Sequence, residues 1–114
     1  MAILSFSMTK NEFLADKKTV TRRNWADAHF SMWVRMWDTN RRVHDAYDNT
    51  PRVGGKKIGE IELTARPYKE KLADMPVEDL MAEGGMCKSL EEFCDLVGMR
   101  PQDKVTVIRF HRVS

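Results

Sequence analysis

At 114 residues the chain is long enough for one hydrophobic core and too short for two, so a single domain over residues 1–114 is expected. Hydrophobic residues at 42% and charged residues at 32% exclude a disordered chain, and no apolar run approaches the roughly twenty residues that span a bilayer. The formal net charge of +2 says little about nucleic acid, but its distribution is uneven: residues 1–58 carry eleven Lys and Arg against six Asp and Glu, and residues 59–114 carry eight against eleven.

In chain order, Ile3-Leu4-Ser5-Phe6 reads as a short strand. Thr9-x-x-Glu12 has the form of a capping box, which predicts a helix of about two turns over residues 10–15 with Phe13 and Leu14 turned inward. Lys17 to Trp25 follows as turn and extended chain. From Ala26 to Trp37, the residues Phe30, Trp33, Val34 and Trp37 fall on one helical stripe; Trp33 and Trp37 are read as core.

Val43, Asp45 and Tyr47 alternate with His44 and Ala46 as a strand. A second, longer strand runs from Lys57 to Ala65, with Gly59, Ile61 and Leu63 on one face. Pro67 stops it, and Tyr68 to Ala73 reads as a helical turn or loop. Pro76 opens a short helix containing Leu80 and Met81, which Gly84-Gly85 ends. Ser89-x-x-Glu92 is a second capping box, for a helix with Leu90, Phe93, Cys94 and Val97 as its stripe and Gly98 as its stop. The last strand, Lys104 to Val113, is apolar on both faces at its start, which suits a strand inside a closed barrel.

The N-terminus lacks the cationic start and long apolar core of a signal peptide, so a cytoplasmic protein is expected. Cys87 and Cys94 have no zinc-type spacing with His29, His44 or His111 and are read as reduced thiols; no metal or other cofactor is expected.

The densest chemistry is Lys17-Lys18-Thr19-Val20-Thr21-Arg22-Arg23-Asn24-Trp25, with four cations, two hydroxyls and an indole. Such donors suit a phosphate, a carboxylate or a nucleobase edge, and Trp25 offers a stacking face. A turn at Lys18 leading into an extended chain lets Lys18, Thr21 and Arg23 converge on one point. A solvated basic loop accounts for the same residue types. Arg41, Arg42 and Arg52, with Lys56 and Lys57, add to the positive field of this half.

Lys18-x-x-Thr21-x-Arg23 resembles the G-x-K-x-x-T-x-R signature of the ASCH domain, a family of the PUA-like superfamily. The order of the elements around it is similar too, from Ile3-Leu4-Ser5-Phe6 through Lys57-Ile58-Gly59-Glu60-Ile61, Asp79-Leu80 and Glu83-Gly84-Gly85 to Val105–Phe110. The family glycine falls at Asp16, so a looser turn before Lys18 is expected, because a side chain disfavours the left-handed backbone that glycine supplies. The Glu-Gly-Gly and Lys-Lys-Ile-Gly stretches also resemble small ASCH proteins of bacteriophages.

This resemblance implies an α+β fold: a PUA-like small β-barrel of about five strands with three or four flanking helices. Some bacterial members are amidohydrolases that deacetylate N4-acetylcytidine with a lysine and a threonine of the motif and a glutamate before the last helix. Those positions match Lys18, Thr21 and Glu83. The implied activity is amide hydrolysis on an N4-acylated cytidine-type nucleoside. From their own chemistry and the charge distribution, Lys17, Arg22, Arg23, Trp25, Arg41, Arg42 and Arg52 are expected to contact the substrate or nucleic acid. The alternatives are a non-catalytic RNA-binding module and a ribonuclease. The expected partner is thus a modified nucleoside or single-stranded RNA, not a membrane, and a monomer is expected. Residues 24–55 look longer than in the compact amidohydrolases, which places the difference in substrate choice there.

Overall fold

Strand β6 (Lys104–Arg112) is the axis of the fold, because it is paired along both of its edges. The computed structural model describes residues 2–114. Val105, Thr106, Val107 and Ile108 are buried in succession, as the two-sided apolar run at the start of this strand requires.

One edge of β6 takes β2 (Val20–Arg23), antiparallel, with Thr21 opposite Ile108. The other edge is shared by two strands end to end. β4 (Lys57–Leu63) pairs with Phe110–Arg112, and β5 (Tyr68–Lys71) pairs with Lys104–Val107. Beyond β4 lie β3 (Val43–Tyr47), antiparallel to it, and β1 (Ile3–Ser5), parallel to β3. The result is a curled, mixed six-stranded sheet with β1 and β2 at its free ends, joined by helices in an α+β arrangement.

The fifth strand corrects the sequence reading. Tyr68 to Lys71 is extended, not a helical turn, and only Leu72–Asp74 forms a single 3-10 turn. β4 ends at Leu63, short of the expected Ala65 and four residues before Pro67, and after this break the chain continues along the same edge of β6. Tyr68 and Glu70 alternate with Lys69 and Lys71 across the two faces of that strand.

The helices are α1 (Lys10–Leu14), α2 (Asp27–Asp38), α3 (Asp79–Ala82) and α4 (Leu90–Val97). None is long and apolar enough to cross a membrane. Trp33 on α2 is completely buried with Leu4, Phe6, Phe13, Ile61, Ile108 and Phe110, while Trp25, Met36 and Trp37 pack at the border of that core. Phe6 and Phe13 stack with centroids 4.6 Å apart. A second cluster, Leu72, Leu80, Phe93, Cys94 and Val105, fixes α3 and α4 to the far end of β6.

The two capping boxes differ. Ser89 Oγ accepts from Glu92 N at 3.1 Å, so α4 is capped, while Glu92 Oε2 accepts at 2.8 Å from Lys88 N, one residue before the N-cap, and not from Ser89 N. Thr9 makes no such bond, and Leu14 points to solvent with Phe13 alone buried. At the other end of α1, Glu12 O accepts from the amides of Lys17 and Lys18. Ser89→Ala is expected to cost about 1 kcal/mol in denaturant unfolding, the usual loss for an N-cap side chain, while Thr9→Ala is expected to leave stability nearly unchanged.

The two halves of the chain do not form a basic and an acidic face. β6 of the acidic half sits between β2 of the basic half and β4–β5. Lys18 and Arg22 are spent on carboxylates of residues 70–83.

Candidate active site

Three local features bring Lys18 to Glu83. Asp16 adopts a left-handed backbone, φ 60°, so the turn before Lys18 is made without glycine. The Asp16 carboxylate is held from both oxygens by Arg112, at 2.8 and 3.1 Å, which secures a conformation a side chain otherwise resists. The looser turn expected at this position is therefore not found. Next, Thr19 N donates to Ala82 O at 2.8 Å and ties the start of β2 to the end of α3.

Last, Gly84 and Gly85 both take positive φ, 129° and 74°, and turn the chain sharply after α3. A Cβ on Gly84 would press on Thr9 at 3.3 Å and on Glu12 at 3.5 Å, so the glycine also lets α1 approach. With the helix ended there, Glu83 presents both its backbone carbonyl and its carboxylate to one point. Lys18 Nζ donates to Glu83 O at 2.7 Å and to Glu83 Oε1 at 3.0 Å. One of the three ammonium N–H bonds is left for a ligand.

Thr21 is buried on the same wall, and its Oγ1 accepts from Arg23 Nε at 3.0 Å. Arg23 Nη2 donates to Ser5 O at 2.6 Å, so this guanidinium spans from β2 to β1, the two free ends of the sheet. Its Cζ lies 5.8 Å from the centre of the Phe6 ring. Lys18, Thr21, Arg23 and Glu83 line one open cavity of about 220 Å³. Ser5 to Thr9, Arg22, Leu80, Met86, Cys87 and, from α4, Phe93, Leu96 and Val97 complete it.

Arg22 points away from a ligand role. Its guanidinium donates to Glu83 Oε2 at 3.1 Å, to Glu70 Oε1 at 2.9 Å and to Asp79 Oδ2 at 2.6 Å, and is almost wholly buried. Arg109 grips Asp79 from the other side, Nη1 to Oδ1 at 3.1 Å and Nη2 to Oδ2 at 2.7 Å, and Arg109 Nε donates to Tyr68 OH at 3.2 Å. This chain of charges fixes the Glu83 carboxylate so that its second oxygen meets Lys18.

Asp79, Glu70, Arg109 and Tyr68 were not singled out by the sequence. One signal was present: Asp79 and Glu83 are four apart on a helix, which puts two carboxylates on one face.

The electrostatics follow from burial. Burial pushes the Lys18 amine down from its ordinary value; the Glu83 carboxylate pulls it back, and Arg23 and Arg22 repel the charged form. For Asp79, burial raises the carboxyl, but the bonds from Arg109 and Arg22 outweigh it and hold the group below the usual range. Burial and the charges of Glu92 and Glu83 push the Cys87 thiol up, which disfavours its thiolate.

The other expected contacts lie elsewhere. Trp25 does not line the cavity; it stacks on His29 at 3.9 Å and on Trp33 at 5.3 Å, trimming the core. Arg42 lies over the Trp37 ring at 3.6 Å and lines a separate hollow with Arg41, near His44 and Glu62. Arg52 is exposed in the 3-10 turn Pro51–Val53, and Lys17 is exposed beside the motif.

No family model, curated protein or solved structure matches this chain. The chemistry of the cavity therefore rests on its own geometry: a threonine hydroxyl held by a guanidinium, and on the same cavity a buried amine that burial pushes below its ordinary value.

Proposed function

We propose that the cavity is the active site of an amidohydrolase that removes the acyl group from an N4-acylated cytidine-type nucleoside, on the PUA-like barrel of an ASCH domain. The observation that carries this reading is the buried Lys18–Glu83 pair in one cavity with the Thr21 hydroxyl, at the spacing of the motif. The curled sheet supports a small barrel that is open between β1 and β2.

In the proposed reaction, Thr21 Oγ1 attacks the amide carbonyl carbon and gives its proton to the neutral Lys18 amine. The Arg23 guanidinium, already on Oγ1, stabilises the negative oxygen as it develops. The tetrahedral species collapses by breaking the C–N bond. Lys18 returns the proton to the departing N4, which leaves as the amine and places the acyl group on Thr21 as an ester. Water, deprotonated by the Lys18–Glu83 pair, then cleaves that ester, releasing the carboxylic acid and restoring the hydroxyl.

The test is chromatography of wild-type protein incubated with N4-acetylcytidine, and cytidine is expected to accumulate. Protein that releases no cytidine and instead retains oligonucleotides overturns the reading in favour of an RNA-binding module.

The pH dependence has a definite sign. Lys18 must be neutral to take the proton, and burial lowers its value below 10.5. The activity is therefore expected to rise with pH along a limb centred below 10.5 in the kcat/KM profile. A limb at or above that value contradicts the role given to Lys18.

A further inference from the structure

The charged groups that line the cavity, Lys18, Arg22, Arg23 and Glu83, come from β2, the residues just before it and the end of α3. Ser7, Thr9 and Cys87 line it as well. The apolar part of its wall is formed by Met8, Leu80, Met86, Phe93, Leu96 and Val97, and none of these side chains can donate a hydrogen bond. Four of them, Met8, Met86, Leu96 and Val97, are large apolar side chains that remain between 39% and 54% exposed. Such side chains gathered on one open cavity, beside a buried ion pair, mark a surface built to be covered by a ligand.

Resting on the amidohydrolase reading above, we propose that this wall is an acyl-chain subsite. The substrates are then N-acyl amides with an aliphatic chain of about four to six carbons, and the acyl group is recognised more strictly than the amine it leaves.

The orientation follows from the cost of burying polar atoms. A nucleobase carries donors and acceptors around its edge, and against Leu96, Val97, Phe93 and Met86 these would have no partners. An aliphatic chain loses nothing there. With the carbonyl carbon at Thr21 Oγ1, the chain lies along α4, and the nitrogen side faces Lys18, Glu83 and the open mouth. The size agrees, because about 220 Å³ exceeds the cavity of ~150 Å³ that admits a six-carbon ring. An acetyl group would leave most of the wall wet. The base also lacks a stacking face, since Trp25 is occupied with His29 and Trp33.

The test is a series of N4-acylcytosines with acetyl, butanoyl, hexanoyl and decanoyl groups, assayed with wild-type protein. kcat/KM is expected to rise about fourfold for each methylene up to hexanoyl, the worth of one buried CH2, and to stop rising by decanoyl. Leu96→Asp, a change at an exposed position of α4, is expected to lower the hexanoyl-to-acetyl ratio at least tenfold. Replacing cytosine by benzylamine with the hexanoyl group kept is expected to change kcat/KM by less than the chain series does.

Hydrolysis of the acetyl compound with rates that stay flat or fall as the chain grows overturns the acyl subsite and leaves the amidohydrolase reading standing. A ratio unaltered by Leu96→Asp overturns the placement on α4. Cleavage of no member of the series overturns both the subsite and the reading beneath it.

Discussion

Thr21→Ala, Lys18→Ala and Glu83→Ala are each expected to lower the deacylation rate at least about 10³-fold, and any two together to be hardly worse than one, because groups that act as a unit lose their effect together. In the proposed reaction each loss has a distinct cause. Without Thr21 there is no oxygen for Arg23 Nε to hold and no proposed attacking atom. Without Lys18 the hydroxyl loses its proposed proton acceptor, and Glu83 loses both of its contacts to the amine.

Without the Glu83 side chain, Lys18 keeps only the backbone carbonyl, and Arg22 keeps only Asp79 and Glu70. Thr21→Ser is expected to retain part of the activity, since the hydroxyl remains. Trp25→Ala is expected to affect folding stability and leave KM nearly unaltered, because the indole is outside the cavity. Steady-state kinetics with circular dichroism on each variant checks the set. Full activity in Thr21→Ala would remove the nucleophile from this account.

The largest stability effect is expected at Asp79. Asp79→Ala leaves Arg22 and Arg109 facing each other around a vacated carboxylate, with Arg22 deeply buried. Removing one partner of a buried ion pair costs about 3–5 kcal/mol, so unfolding in denaturant should shift by that amount. The difference should also depend on pH. Asp79 has a folded-state value below 3.8, so its contribution is fully present above 3.8 and is lost as pH falls through the folded value. Wild type and variant should therefore converge in acid below pH 3.8 and differ fully above it. Activity should fall as well, because Arg22 no longer holds the Glu83 carboxylate toward Lys18. A variant as stable as wild type at neutral pH would show that the arginines find other partners.

What was legible in the sequence and what was not divide along physical lines. Local signals held where the chain decides its own conformation. Ser89 and Glu92 cap α4, Gly98 ends it with φ 69°, and Trp33 and the run Val105–Ile108 are core. They failed where tertiary contacts decide. Tyr68–Lys71 is a strand because β6 offers it an edge. Asp16 takes a glycine-like backbone because Arg112, far away in sequence, grips its carboxylate. Thr9 leaves its cap unmade.

The site follows the same division. Motif spacing placed Lys18, Thr21 and Arg23 on one wall, and Glu83 joins them from 62 residues beyond Thr21 through the sharp turn at Gly84-Gly85. Arg22 is of the same residue type and lies in the same nine-residue stretch, yet its guanidinium is taken up by Glu70, Asp79 and Glu83 at the edge of the cavity. Counting cations by chain half missed this, because charges paired across the sheet cancel where they meet.

The central claim is that Thr21 carries the acyl group. The direct measurement is rapid acid quench of wild-type protein turning over an N4-acylated cytosine, followed by mass mapping of the peptides. An acyl ester on Thr21, absent from Thr21→Ala, is the expected result. Turnover with the acyl group on another residue, or with none on the protein at any quench time, would contradict it.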